Sequence, residues 1–262
     1  MELQVDGRAV FAATGGRPFD PRLPAVVFLH GAGMDHTVWA LQTRYFAHHG
    51  RAVLAVDLPG HGRSDGPLLE GIDAMADWVV RLLEAAGLGE ATLVGHSMGA
   101  LVALDCAARH GQAATAIGLL GAAPAMPVHP DLLGAAEANT HLAYELVTSW
   151  GHGPAGHLGG NTAPGLWLMG GGARLLEAAK PGVLFNDLRA CAAYDAGLAA
   201  AAAVACPALL VLGAADRMTP ARAGRKLAEA IVGARVEVIA GSGHMMMAEK
   251  PDETLDALKT LL

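Results

Sequence analysis

Cysteine is scarce in this chain of 262 residues: Cys106, Cys191 and Cys206 are odd in number, widely spaced and in no C-x-x-C arrangement. Neither a disulfide framework nor a cysteine-built zinc site is suggested, and a reducing cytoplasm is the expected setting. Positive charge is also in short supply, with 18 Lys and Arg against 25 Asp and Glu, a formal charge of −7, and no basic cluster. That balance offers no footprint for DNA or RNA, so no nucleic-acid partner is expected. The opening residues Met1 to Gln4 include an acid and pass at once into strand-like alternation, unlike an export signal. The uncharged apolar stretch Gly197 to Ala215 contains Pro207. Proline breaks a helix interior, so the stretch reads as an Ala-rich helix end, Ala199 to Val204, running into a buried strand, and no membrane span is expected. The twelve histidines include no H-E-x-x-H motif, and His129, His141, His152 and His157 fall in a Gly- and Pro-rich stretch. These four are expected to be solvated loop residues, and no metal site is expected.

What is present is a rhythm. Apolar runs alternate with helix-period segments, as strands joined by crossover helices around a mostly parallel sheet do, so the fold class is α/β. Leu3 to Gly7 and Arg8 to Thr14 read as a hairpin. Ala25 to His30, Ala52 to Asp57, Ala91 to His96, Ala116 to Leu120, Ala208 to Leu212 and Arg235 to Ala240 read as further strands, mostly continuous runs suited to coverage on both faces. Ile72, Met75, Ala76, Val79, Leu83 and Ala86 mark one face of an amphipathic helix. Thr219 before Pro220 reads as the N-cap of a helix to Ile231, and Pro251 opens the last helix. From Pro124 to Cys206 the rhythm fails, and Gly151 to Gly172 alone holds nine glycines. Trp150, Trp167, Phe185 and Tyr194 supply apolar anchors there. The expected organisation is a core domain from 1–123 and 207–262, with 124–206 inserted as a helical lid carrying a mobile glycine-rich part.

Gly95, His96, Ser97, Met98 and Gly99 spell G-x-S-x-G between an apolar run and a helical segment. A serine hydroxyl is a poor nucleophile unless a sharp strand-to-helix turn lifts it clear and a base takes its proton, and flanking glycines make room for that turn. Asp216 follows the strand Ala208 to Leu212, at the carboxyl edge where ligand chemistry in open parallel sheets gathers. His244 comes after the next strand, in a Gly- and Ser-rich loop. The order Ser, Asp, His is that of the nucleophile-elbow hydrolases, and it assigns Ser97 as nucleophile, His244 as base and Asp216 as acid. His30 to Gly33 close an earlier strand, where a second backbone N–H is needed for a developing oxyanion, so Ala32 N–H and Met98 N–H are the expected pair. His96 is expected to point away from Ser97, its neighbour in sequence, and His61 to serve a structural turn.

With these residues in place, the sequence resembles the α/β-hydrolase superfamily along essentially its whole length. Phe28 to Gly31 resemble its oxyanion strand end, Asp57 to Ser64 its D-x-P-G-x-G-x-S turn, and Gly95 to Gly99 its elbow. Gly243, His244 and Glu249 to Pro251 resemble its histidine loop and last helix. The resemblance implies an eight-stranded sheet covered by helices on both faces, a lid after the sixth strand and no cofactor. The expected activity is hydrolysis of a small to medium hydrophobic acyl compound, a carboxylic ester first, with water as co-substrate. Gly31, Gly33, Trp150, Trp167, Arg189 and Met245 are expected to line the substrate site. Carbon-carbon bond hydrolysis, with Arg189 and Asn186 gripping a dienoate acid, and a cofactor-free peroxidase-like reaction are the rivals within enzymes. A non-catalytic binding protein is the rival outside them. The sequence does not determine oligomeric state.

Overall fold

The computed structural model describes residues 1–157, 159–160 and 167–262. Its strands are β1 (Glu2–Val5), β2 (Arg8–Ala13), β3 (Ala25–Leu29), β4 (Ala52–Val56), β5 (Ala91–His96), β6 (Ala114–Leu120), β7 (Ala208–Gly213) and β8 (Arg235–Ile239). They form one sheet in the order β1-β2-β4-β3-β5-β6-β7-β8. The β1–β2 hairpin and the β2–β4 pairing are antiparallel, and every other pairing is parallel. The expected hairpin and all six further strands are present, with ends shifted by a residue or two.

β3, β4, β5 and β7 are buried at every position. Side chains alternate across a strand, so a doubly covered strand must be apolar throughout. Val27, Leu29, Leu54, Leu210 and Leu212 enter one core, while Val26, Phe28, Val53, Leu209 and Val211 enter the other. The first face is covered chiefly by α2 (Ile72–Ala85) and α3 (Met98–Arg109), the second by α1 (Ala40–His48) and residues near the C-terminus.

Between β6 and β7 come the helices α4 (Pro130–Glu137), α5 (His141–Gly151), α6 (Pro154–His157), α7 (Leu168–Ala178), α8 (Val183–Ala193) and α9 (Gly197–Ala203). Leu132, Ala136, Ala143, Val147, Leu176, Leu184 and Leu188 give this insertion a small core of its own, against which Ala32 packs. Ala200, Ala201 and Val204, at the end of the insertion, join the main core instead. No described helix is long and apolar enough to cross a membrane. Of the glycine-rich segment expected to be mobile, residues 158 and 161–166 lie outside the described residues, while Gly170, Gly171 and Gly172 sit inside α7.

Two local expectations are corrected. The helix after β7 is α10 (Ala221–Glu229), and its cap residue is Pro220, not Thr219. Thr219 N and Oγ1 both donate to the Asp216 carboxylate, a charged acceptor that outcompetes a helix end. Nor are the four histidines of the insertion alike. His129, His141 and His157 are exposed at helix ends, whereas His152 is 3% exposed, with Nδ1 donating to Thr148 O at 2.9 Å. The chain closes with α11 (Met246–Glu249) and α12 (Pro251–Lys259).

The β5–α3 corner is the tightest in the fold. Ser97 sits at φ 54°, ψ −115°, and a Cβ on Gly95 would collide with the Gly99 carbonyl one turn on. Gly95→Ala is therefore expected to cost about 3 kcal/mol, as forced overpacking of a rigid backbone does, and urea unfolding monitored by circular dichroism measures it.

Candidate active site

The site lies at the carboxyl edge of the parallel strands. After β7, Ala214 N donates to Ile239 O (3.0 Å) and Ala215 N to Ser242 O (2.8 Å), which anchors the turn carrying Asp216 between two loops. Asp216 is 6% exposed. Its Oδ1 accepts from Met218 N and Thr219 N, each at 2.8 Å. Its Oδ2 accepts from Thr219 Oγ1 and His244 Nδ1, again at 2.8 Å each. Burial alone would push this carboxyl up, but the facing imidazole and the Thr219 bonds outweigh it and hold the group below its ordinary value. A carboxylate on Nδ1 keeps the proton on that nitrogen and leaves the Nε2 lone pair free.

The His244 loop is gripped from three sides. His244 N and Met245 N both donate to Gly151 O, at 2.8 and 3.1 Å. Glu249, buried, accepts from Gly243 N (3.0 Å) through one oxygen and from Gly153 N (2.7 Å) through the other. His96, fully buried, points away from the cavity as expected, and its Nε2 donates to His244 O at 3.0 Å. Burial pushes His96 well below its ordinary pKa, so it acts as a neutral strut. Gly121, at φ +59°, ends β6 where a Cβ would stand 2.9 Å from His244 Cε1, so its bare backbone leaves room for the imidazole.

Ser97 and His244 line one cavity of about 320 Å³. Ser97 Oγ makes no hydrogen bond among the described residues, and neither Ala32 N nor Met98 N donates to a described acceptor. Both donors, one in the loop after β3 and one at the N-terminus of α3, are thus without a described acceptor. The cavity walls are largely apolar and come mostly from the insertion, among them Met126, Leu132, Val147, Trp150, Leu176 and Leu188. Of the six residues expected to line the substrate site, Trp150 and Met245 line this cavity.

The other four lie elsewhere. Gly31 is packed beneath the His96 ring, where a Cβ would lie 2.8 Å from Nδ1, and Gly33 is covered by Leu184 and Leu176. Trp167, the cap residue before α7, is 73% exposed, and Arg189 on α8 faces Glu70 at 3.6 Å, both away from the cavity. Asn186 is occupied by Leu69 O at 2.8 Å, which removes the dienoate grip suggested for it and Arg189.

Sequence reasoning missed Thr219, His152, Arg217, Glu249 and Asp187. Asp187, on α8 and fully buried, accepts from Gly33 N and from His61 Nε2, each at 2.8 Å, tying the insertion to the loop that holds Ala32. His61 Nδ1 faces Pro59 O at 3.1 Å, so both ring nitrogens meet acceptors, an arrangement that favours the charged ring. Burial would lower the His61 pKa, but the Asp187 charge and hydrogen bond reverse this and raise it. His30 beside it is the opposite case: Nδ1 donates to Gly31 O, Nε2 accepts from Leu58 N, and burial pushes it down to about 4. Among the described residues, one cluster, Asp35, His36 and Asp57, has metal-ligand spacing. The Asp57 oxygens there already accept from His36 N, His36 Nδ1 and Arg63 N, which uses them in the turn itself.

A model of the Alpha/beta hydrolase family matches residues 26–257. The chain is 32% identical over 247 residues to a pimeloyl-[acyl-carrier protein] methyl ester esterase of Aromatoleum aromaticum, spanning 88% of this chain and 94% of the relative. A local match, 36% identical over 78 residues and 29% of each chain, is to an (E)-2-((N-methylformamido)methylene)succinate hydrolase of Acinetobacter baylyi. Among solved structures, an enol-lactonase from Burkholderia xenovorans superposes with a TM-score of 0.88 at 22% identity, over 99% of this chain and 98% of that one, which is a likeness of fold.

Asp187→Asn is expected to cost about 3 kcal/mol, since it leaves the buried His61 charge unpaired. The pH dependence carries the sign of a raised histidine: the stability from this pair is full below the unfolded pKa of about 6.5 and fades as pH rises through the folded value. Urea titrations near pH 6 and near pH 9 should therefore show a larger gap between wild type and variant at the lower pH.

Proposed function

The chain belongs to the α/β-hydrolase family and is an enzyme of that type, and from that premise we propose that it is a serine esterase acting on a small to medium, largely apolar acyl substrate. The observation that carries this reading is the His244–Asp216 hydrogen bond of 2.8 Å set behind an elbow serine in a single cavity. In this reading His244 Nε2 takes the Ser97 proton, Ser97 Oγ attacks the ester carbonyl, and Asp216 holds the imidazole and steadies its charged form. Ala32 N–H and Met98 N–H receive the oxyanion, an assignment supported by their lack of any other described acceptor. The alcohol leaves with the proton from His244, and water, activated by the same histidine, releases the acid from the acyl-serine. The Ser97 to His244 contact closes as the substrate seats, as base contacts commonly tighten in the bound complex.

The insertion serves as the lid in this proposal, since its residues, Val147, Trp150, Leu176 and Leu188 among them, supply most of the apolar wall of the cavity that Ser97 lines. The esterase named among the relatives supports ester over other acyl bonds.

Ser97→Ala is expected to keep the wild-type thermal midpoint and lose nearly all turnover of p-nitrophenyl butyrate; undiminished turnover would sink the assignment. Asp216→Asn should lower kcat about 10⁴-fold in the same assay, because the imidazole then presents the wrong tautomer.

A further inference from the structure

Resting on the esterase reading and narrowing it, we propose that the substrate ester carries an anionic group, a carboxylate in the simplest case, which Arg217 binds at the cavity wall. The chain as a whole bears a formal charge of −7, yet no Asp or Glu is among the residues lining the cavity. Arg217 is the one Lys or Arg that is. Arg217 forms no ion pair among the described residues; several other arginines share that, but none of them lines the cavity.

Asp216, its neighbour in sequence, is not a substitute partner. Both of its oxygens are saturated by Met218 N, Thr219 N, Thr219 Oγ1 and His244 Nδ1. The same bonds fix the backbone on either side of residue 217, so the guanidinium is carried on a rigid turn adjoining the proposed triad. The remaining wall is chiefly Met, Leu, Val and Trp side chains. Arg217 is exposed at the rim of the cavity, and a planar cation at the edge of an apolar chamber selects a ligand with a hydrocarbon body and one anionic end, because a bidentate charge-assisted bond to the guanidinium adds to the apolar contact. A neutral ester of the same length gains only the apolar contact.

The test uses monomethyl adipate and dimethyl adipate, a half-ester and its neutral diester, titrated calorimetrically into the Ser97→Ala protein. The half-ester should bind about tenfold tighter, and the preference should shrink as salt is raised. Adding Arg217→Gln should abolish the preference, and Arg217→Lys should restore part of it. Equal affinity for the two compounds, or a half-ester preference that survives Arg217→Gln, overturns the proposal. Methanol release by the wild-type enzyme is measured separately. Half-ester binding without hydrolysis would refute the esterase reading while sustaining the anion site, and hydrolysis of both esters without preference would do the reverse.

Discussion

Asp216 holds its charge where water scarcely reaches, and the surrounding turn answers with two backbone amides, a threonine hydroxyl and an imidazole. A buried carboxylate left short of donors would take up a proton and release His244. The four bonds therefore do two things together. They keep the group ionised, and they set the orientation of a ring that lines the same cavity as Ser97. The β7 and β8 ends, the Thr219 turn and the Gly121 gap are all arranged around this one requirement.

The insertion shares in the same construction. Gly151 O takes the two amides that fix the His244 loop, and Glu249 ties that loop again to Gly153. On the other side Asp187 reaches from α8 to Gly33 and His61. Two buried carboxylates thus connect the helices over the cavity to the segments holding His244 and Ala32, and the apolar wall cannot shift far without disturbing both.

Much of this was legible in the sequence wherever the signal is local. Continuous apolar runs gave the strands, and G-x-S-x-G placed between a strand and a helix gave the elbow at φ 54°. Asp216 and His244 were found because each follows a strand in the expected order, and the structure brings them within 2.8 Å. What escaped was set by long-range packing. Asp187 and Gly33 are 154 residues apart, and Gly153 and Glu249 are 96 apart, so neither pairing has a local signature. Thr219 was misread because Ser, Thr or Asp before Pro is a sound helix-start signal, and only the buried carboxylate beside it redirects the hydroxyl. Arg189 and Trp167 were assigned to the pocket on chemistry alone, without knowing which way their side chains turn.

The two hydrogen bonds that Gly151 O accepts from His244 N and Met245 N have a consequence for how such a protein can diversify. A chimera that exchanged residues 124–206 for the cap of a cousin would be expected to alter more than the shape of the acyl chamber. It would also replace the carbonyl on which the backbone of His244 and Met245 is moored. The shape of the cavity and the placement of the His244 loop are therefore inherited together here, and drift in one drags the other along.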